Sequence, residues 1–170
     1  MAFLGATRSL LLKGMPDPFY FRLGTTDLLV LEEIFFKGEY DTVLAHVPAA
    51  ARLIVDLGAN AGYSLRFWRM HFPQAAIIAA EPDPGNAKLC RANVAAGGGS
   101  ECIEIVEACV GATERMVHLE SGQGEWAFHM VEGKTNHACG IPVKTIYTCF
   151  RVPTTTAAQQ TNVFVKMESQ

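Results

Sequence analysis

The sequence has no apolar run approaching the ~18–20 residues that a membrane helix needs, so no membrane span is expected. It has no CxxC pair, and its five cysteines, Cys90, Cys102, Cys109, Cys139 and Cys149, are odd in number. Neither a disulfide framework nor a zinc site is expected from that pattern, and a reducing cytoplasm is the simpler setting. A large excess of either charge is missing too: 14 Lys+Arg stand against 17 Asp+Glu, a formal net charge of -3. That balance argues against a protein held to nucleic acid mainly by phosphate contacts. The histidines, His46, His71, His118, His129 and His137, have no i,i+4 pairing and no HExxH frame, so no metal site is expected. Ser64 and Ser121 lack a G-x-S-x-G setting, which removes a hydrolase elbow. The Leu10–Leu12 run between Arg8 and Lys13 is shorter than a secretory h-region of about 7–15 residues.

What remains is apolar substance. The chain has 170 residues, 49% of them hydrophobic, with ten Phe. That is ample for one buried core and excludes a disordered chain. No internal repeat, long charge run or domain linker interrupts it.

Residues 1–18 read as an irregular lead-in, with Gly5, Gly14, Pro16 and Pro18. Phe19–Leu23 suits a short strand. Thr25, Thr26 and Asp27 offer N-cap chemistry for a helix over 27–37 that stops at Gly38. From residue 51 the rhythm becomes β-α-β-α-β. Apolar strands are predicted at 53–57, 75–80 and 102–106, with helices at 62–71 and 84–96 between them. Pro84 suits a helix start and Gly97–Gly99 a helix stop. Further strands are predicted at 116–119, 127–131, 141–146 and 163–167, and 154–162 reads as loop. The fold class is therefore α/β, an open, doubly wound, mostly parallel sheet. Residues 1–50 form an N-terminal strand-helix extension packed on a core over 51–170. The chain stops soon after a new buried strand, so the core is expected to lack its C-terminal part, and its unfinished sheet predicts self-association.

The strongest chemical signal is Asp56-Leu57-Gly58-Ala59-Asn60-Ala61-Gly62, at the first strand-to-helix junction. Ligands of open α/β sheets bind at the carboxyl ends of strands. Counted from Gly58, Asn60 and Tyr63 occupy the places of the second and third glycines of G-x-G-x-x-G, and no P-loop lysine follows. A nucleoside-type ligand without a pyrophosphate is favoured over a dinucleotide, which disfavours a nucleotide-linked oxidoreductase. The second signal is Glu81-Pro82-Asp83-Pro84, ending the second strand. An ionised carboxylate there can accept from both hydroxyls of a ribose. Asp83 also suits the charge of a helix N-terminus. The third is Glu107-Ala108-Cys109-Val110, ending the third strand beside the same crevice, where an adenine could rest. Trp126 and Phe128 fit an acceptor-pocket wall, and fit core or hairpin packing better.

With these residues in view, the chain resembles the FkbM-type S-adenosylmethionine-dependent methyltransferases, a Rossmann-like class I fold. The resemblance lies in residues 23–41, IVDLGANAGYS (54–64), AAEPDPGNAKLCRAN (79–93), ACVG (108–111), PVKTI (142–146) and VFVKMES (163–169). It implies that Asp56, Gly58, Asn60 and Gly62, with Ala59, Tyr63 and Ser64 beside them, line the methionine and ribose part of S-adenosylmethionine. It implies that Glu81, flanked by Pro82 and Asp83, holds the ribose hydroxyls, and that methyl transfer goes to a hydroxyl oxygen of a sugar or natural-product-like molecule. The family's K-x-D-x-E-G motif reads here Lys166-Met167-Glu168-Ser169-Gln170 and lacks the final glycine. Lys166 and Glu168 are the candidates near the reacting groups. The alternative is an incomplete or non-catalytic cofactor-binding fragment without turnover.

Overall fold

The computed structural model describes residues 6–121, 128–131, 141–145 and 163–167. Strands β1 (Thr7–Leu10) and β2 (Phe19–Arg22) precede helices α1 (Asp27–Phe35) and α2 (Asp41–Leu44). Then come β3 (Leu53–Leu57), α3 (Tyr63–His71), β4 (Ala76–Ala80), α4 (Pro84–Ala96), a 3-10 turn at Ser100–Cys102 and β5 (Ile103–Val106). Four short strands follow, β6 (Cys109–Val110), β7 (Arg115–Ser121), β8 (Phe128–Val131) and β9 (Ile141–Lys144), and last β10 (Val163–Met167).

The main sheet has the order β10-β3-β4-β5, and every neighbouring pair is parallel. The β-branched runs of β3 and β4 suit strands covered on both faces. Ile54, Ile77 and Ala79 point to one face, in a cluster with Leu65, Trp68, Leu89 and Val94 of α3 and α4. Val55, Ala80 and Ala108 form a separate cluster on the other face. Helices on both faces were expected; among the described residues that second cluster contains no helical side chain.

Three expectations are corrected. The lead-in is not irregular throughout, because β1 pairs antiparallel with β2 from Thr7↔Arg22 to Leu10↔Phe19. The third strand ends at Val106 as predicted, but the segment after it does not stay beside its end: Ala108 N–H donates to Val106 O at 3.1 Å, and Cys109–Val110 joins a different sheet. That sheet has the order β6-β9-β7-β8, in which β6 is parallel to β9 and β7 antiparallel to both β8 and β9. Thirdly, Asp27 does not cap α1 but is its first residue, and the N-cap, Thr26, makes no side-chain capping bond. The loop read at 154–162 lies outside the described residues.

The N-terminal segment is sewn to the main sheet's helices. Phe19 is fully buried, 5.0 Å from Phe35 and 6.1 Å from Tyr63 by ring centroid. The Arg66 guanidinium lies 3.6 Å above the Phe19 ring and donates to the carbonyls of Asp17 and Pro18. Tyr40 stacks on Trp68 at 5.3 Å. Asn93, fully buried in α4, accepts from Tyr20 N–H at 2.7 Å and donates to Tyr20 O and Ala61 O, each at 2.9 Å. One amide therefore ties β2 to α4 and to the loop after β3.

Candidate functional site

In the main sheet β3 lies between β4, which follows it in the chain, and β10, which arrives far later. Strand order reverses at this point, and the carboxyl ends of the strands flanking such a reversal form the crevice where α/β sheets bind ligands. The loop after β3 and the first residues after β4 stand there.

The loop turns through three left-handed residues, Gly58 (φ 86), Asn60 (φ 48) and Gly62 (φ 83). Asparagine is among the few side chains that adopt this conformation readily. Gly58 and Ala59 both donate their N–H to Ala80 O, at 2.9 and 3.1 Å, so the loop folds back over the end of β4. Gly62 has a different reason to be glycine. A Cβ there would lie 2.8 Å from Cys90 Sγ and 2.9 Å from Cys90 Cα. The glycine lets α3 begin against α4, so its constraint comes from protein packing. Burial in the same contact pushes the Cys90 thiol up, with Asp56 and Glu81 adding to the shift.

Asp56 does not open to the crevice. It is fully buried, and its Oδ2 accepts from Trp68 Nε1 at 3.2 Å. Side-chain alternation places it on the same face as Ile54, under α3. What the structure shows of this carboxylate is a bond that anchors α3 beneath the loop.

Glu81 stands at the centre of the strand ends, 1% exposed. Its Oε2 accepts from Asn60 N–H at 2.8 Å. Its Oε1 accepts from Asp83 N–H at 2.9 Å and from Asn86 Nδ2 at 3.4 Å. Burial raises its pKa above the usual glutamate range; the bonds from Asp83, Asn60 and Asn86 pull it down, and the charge of Asp83 adds to the rise. Pro82 is buried, and Asp83 caps α4 by accepting from Asn86 N–H at 2.7 Å, worth about 1 kcal/mol.

The remaining candidates divide. Tyr63 is buried and turned away, its hydroxyl donating to Tyr20 O at 2.8 Å, and burial pushes its phenol up. Ser64 is buried in the first turn of α3. Glu107 is on the surface, in an ion pair with Arg91 Nη1 at 2.6 Å. Ala108 is fully buried in the second-face cluster, and Cys109 packs with Val117 and Val143 of the other sheet. Lys166 lies opposite Asp56 in the β10–β3 register. Glu168 and Trp126 lie outside the described residues, and Phe128 opens β8.

Sequence reading missed the polar groups behind Glu81. Asp27 is 2% exposed and accepts from Arg22 three times, from N–H at 2.8 Å, Nε at 2.9 Å and Nη2 at 2.8 Å. Arg22 Nη2 donates onward to Asn86 Oδ1 at 2.8 Å. The available signals were a buried-looking Asp beside a strand-end Arg and an Asn at the third position of a capped helix.

No family model matches the sequence, and no curated protein matches it. Among solved structures, the chain is similar to cofactor-bound Rv0187 from MTB, with 18% identity over 51% of this chain and 52% of that chain and a TM-score of 0.32. The matched part thus spans about half the length of that protein.

Chemically, the arrangement is a carboxylate held by two backbone N–H groups and one amide at a strand-order reversal. An ionised carboxylate has about four acceptor positions, and three are taken here. One acceptor position is left open. Among the described residues no helix is long and apolar enough to cross a membrane.

Proposed function

We propose that the chain binds S-adenosylmethionine across the ends of β3 and β4 and transfers its methyl group to a hydroxyl oxygen of a sugar or natural-product-like small molecule. The observation that carries this reading is Glu81, a buried carboxylate at the end of β4 bonded to the left-handed loop through Asn60 N–H. The motif resemblance to the FkbM type, with its class I methyltransferase architecture, supports the finer assignment. So does the mismatch of Asn60 and Tyr63 with a dinucleotide fingerprint.

The residues fit the cofactor. Glu81 accepts from the ribose hydroxyls, and Gly58, without a Cβ, lets the backbone approach the ligand. Asn60 fixes the loop by the hydrogen bond its backbone N–H donates to Glu81 Oε2. When bound, the cofactor supplies an electrophilic methyl group on a sulfonium. The chain's part is to hold an acceptor oxygen in line and to exclude water, so proximity supplies much of the rate. Lys166, in β10, and Glu168 are proposed for the acceptor side, where a hydroxyl needs a partner for its proton. A cytoplasmic setting and self-association along an outer strand of the main sheet belong to the same proposal.

The test is a calorimetric titration with S-adenosylhomocysteine, followed by transfer of labelled methyl from S-adenosylmethionine to hydroxyl acceptors. Binding near micromolar, about −8 kcal/mol, weakened at least ten-fold in Glu81→Gln, supports the reading. No binding by a folded chain overturns it. Binding without transfer to any acceptor favours the alternative, a cofactor-binding module without turnover.

A further inference from the structure

A carboxylate that must face two ribose hydroxyls has to be ionised and aimed. Burial works against the ionised form, and an unaimed carboxylate loses its two-point contact. Behind Glu81 runs a chain of side chains reaching the N-terminal segment. Asp27 grips Arg22 through three hydrogen bonds between 2.8 and 2.9 Å. The Arg22 side chain is 17% exposed and that of Asp27 3%, so both ends of the pair are screened from water. Arg22 Nη2 then donates to Asn86 Oδ1 at 2.8 Å. A guanidinium can only donate, so this bond fixes which end of the Asn86 amide is oxygen. Nδ2 is left facing Glu81 Oε1 at 3.4 Å.

We propose that Asn86, oriented by the Arg22–Asp27 pair of the N-terminal segment, is a positioning residue that holds Glu81 ionised and aimed for a ribose diol. This rests on the reading of Glu81 as the ribose acceptor. It gives the N-terminal segment a task at the site, although neither Arg22 nor Asp27 touches Glu81.

Several other groups face Glu81 electrostatically. Asp83, in the same loop, opposes its ionisation, and the thiols of Cys90 on α4 and Cys109 on β6 feel its charge. Asp56 of β3 and Arg91 of α4 act on the Cys90 thiol beside it, Arg115 acts on Cys109, and Arg22 senses Asp83. None of these is removed by replacing Asn86, which makes Asn86→Ala the clean variant. It also keeps the backbone N–H that Asp83 caps.

The experiment has two arms on the full chain. In the first, the Glu81 side-chain carbon is followed by NMR against pH without ligand, in wild type, Asn86→Ala and Arg22→Met. Each variant is checked for folding by circular dichroism. Losing a weak donor to the ionised form is expected to move the Glu81 midpoint up by about half a pH unit in Asn86→Ala. Arg22→Met moves it the same way, because the amide is no longer oriented. An unchanged midpoint in a folded Asn86→Ala overturns the proposal whatever the ligand is. In the second arm, S-adenosylhomocysteine affinity is measured against pH. Below the midpoint Asn86→Ala binds about three-fold more weakly, and well above it the two proteins converge, since half a unit is about a factor of three. Weakening by the same factor at every pH marks a merely structural role and also overturns the proposal. Absence of wild-type binding overturns the ribose assignment, and with it the aiming role, while the first arm still decides whether Asn86 governs Glu81.

Discussion

The backbone N–H of Asn60 donates to Glu81 Oε2 at 2.8 Å, joining the two motifs that begin at neighbouring strand ends. The loop after β3 and the carboxylate after β4 are therefore one unit, and a change at either is felt at the other.

Glu81→Gln removes the charge and keeps the shape. Hydrogen bonds to a charged acceptor contribute roughly 1.5–3 kcal/mol, against 0.5–1.5 for neutral ones. S-adenosylhomocysteine affinity is expected to fall about ten- to a hundred-fold, with a folded chain by circular dichroism. An affinity within two-fold of wild type by calorimetry removes Glu81 from the site.

Glu81 also predicts a pH dependence whose sign follows from burial. Its folded pKa lies above the usual glutamate range, so the native chain binds more protons than the unfolded chain between the two values. Stability contributed by this group falls as pH climbs through that interval and is level above it. Ligand affinity runs the opposite way, rising as the carboxylate ionises. Urea unfolding and calorimetry at matched pH values check both slopes, and both are expected to vanish in Glu81→Gln.

Gly62→Ala is expected to destabilise the fold by about 3 kcal/mol, from left-handed strain and overpacking together. The new Cβ would meet Cys90 Cα at 2.9 Å as well as Sγ at 2.8 Å. Because backbone is involved, adding Cys90→Ala rescues only part of the loss. Chemical denaturation of the single and double variants measures this; full rescue would show that the sulfur alone sets the spacing.

Asn93→Ala strands Tyr20 N–H and Ala61 O, groups that Asn93 alone is seen to bond from α4. A loss of about 3 kcal/mol is expected, since each unsatisfied buried group costs roughly 1–3. Hydrogen exchange at Tyr20 is expected to accelerate more than exchange in β3. Uniform acceleration across both strands would mean that β2 unfolds only with the whole domain.

Much of this architecture was legible from local pattern. Apolar runs at Leu53–Leu57 and Ala76–Ala80, separated by helix-period segments, specify parallel strands with crossovers. The helix Pro84–Ala96 is bounded by chemistry within a few residues, with Asp83 capping, Pro84 entering and Gly97 leaving. The strand-end position of Glu81 follows from the same rhythm. Such signals depend on neighbours in the chain, so a sequence carries them openly.

Tertiary structure decided the rest. Alternation alone puts Asp56 with Ile54, and only the placement of α3 turned that shared face into a core holding Trp68. Gly62 is constrained by Cys90 on another helix, a contact no spacing rule announces. Arg22 reaches Asn86 across 64 positions of sequence, and β1 exists because β2 offers it an edge. The separation of Cys109–Val110 from β5 depends on β9, which arrives far later in the chain (Cys109↔Val143 in register). Periodicity states which residues are buried and in what kind of element; which partner each one meets is set by how the elements pack.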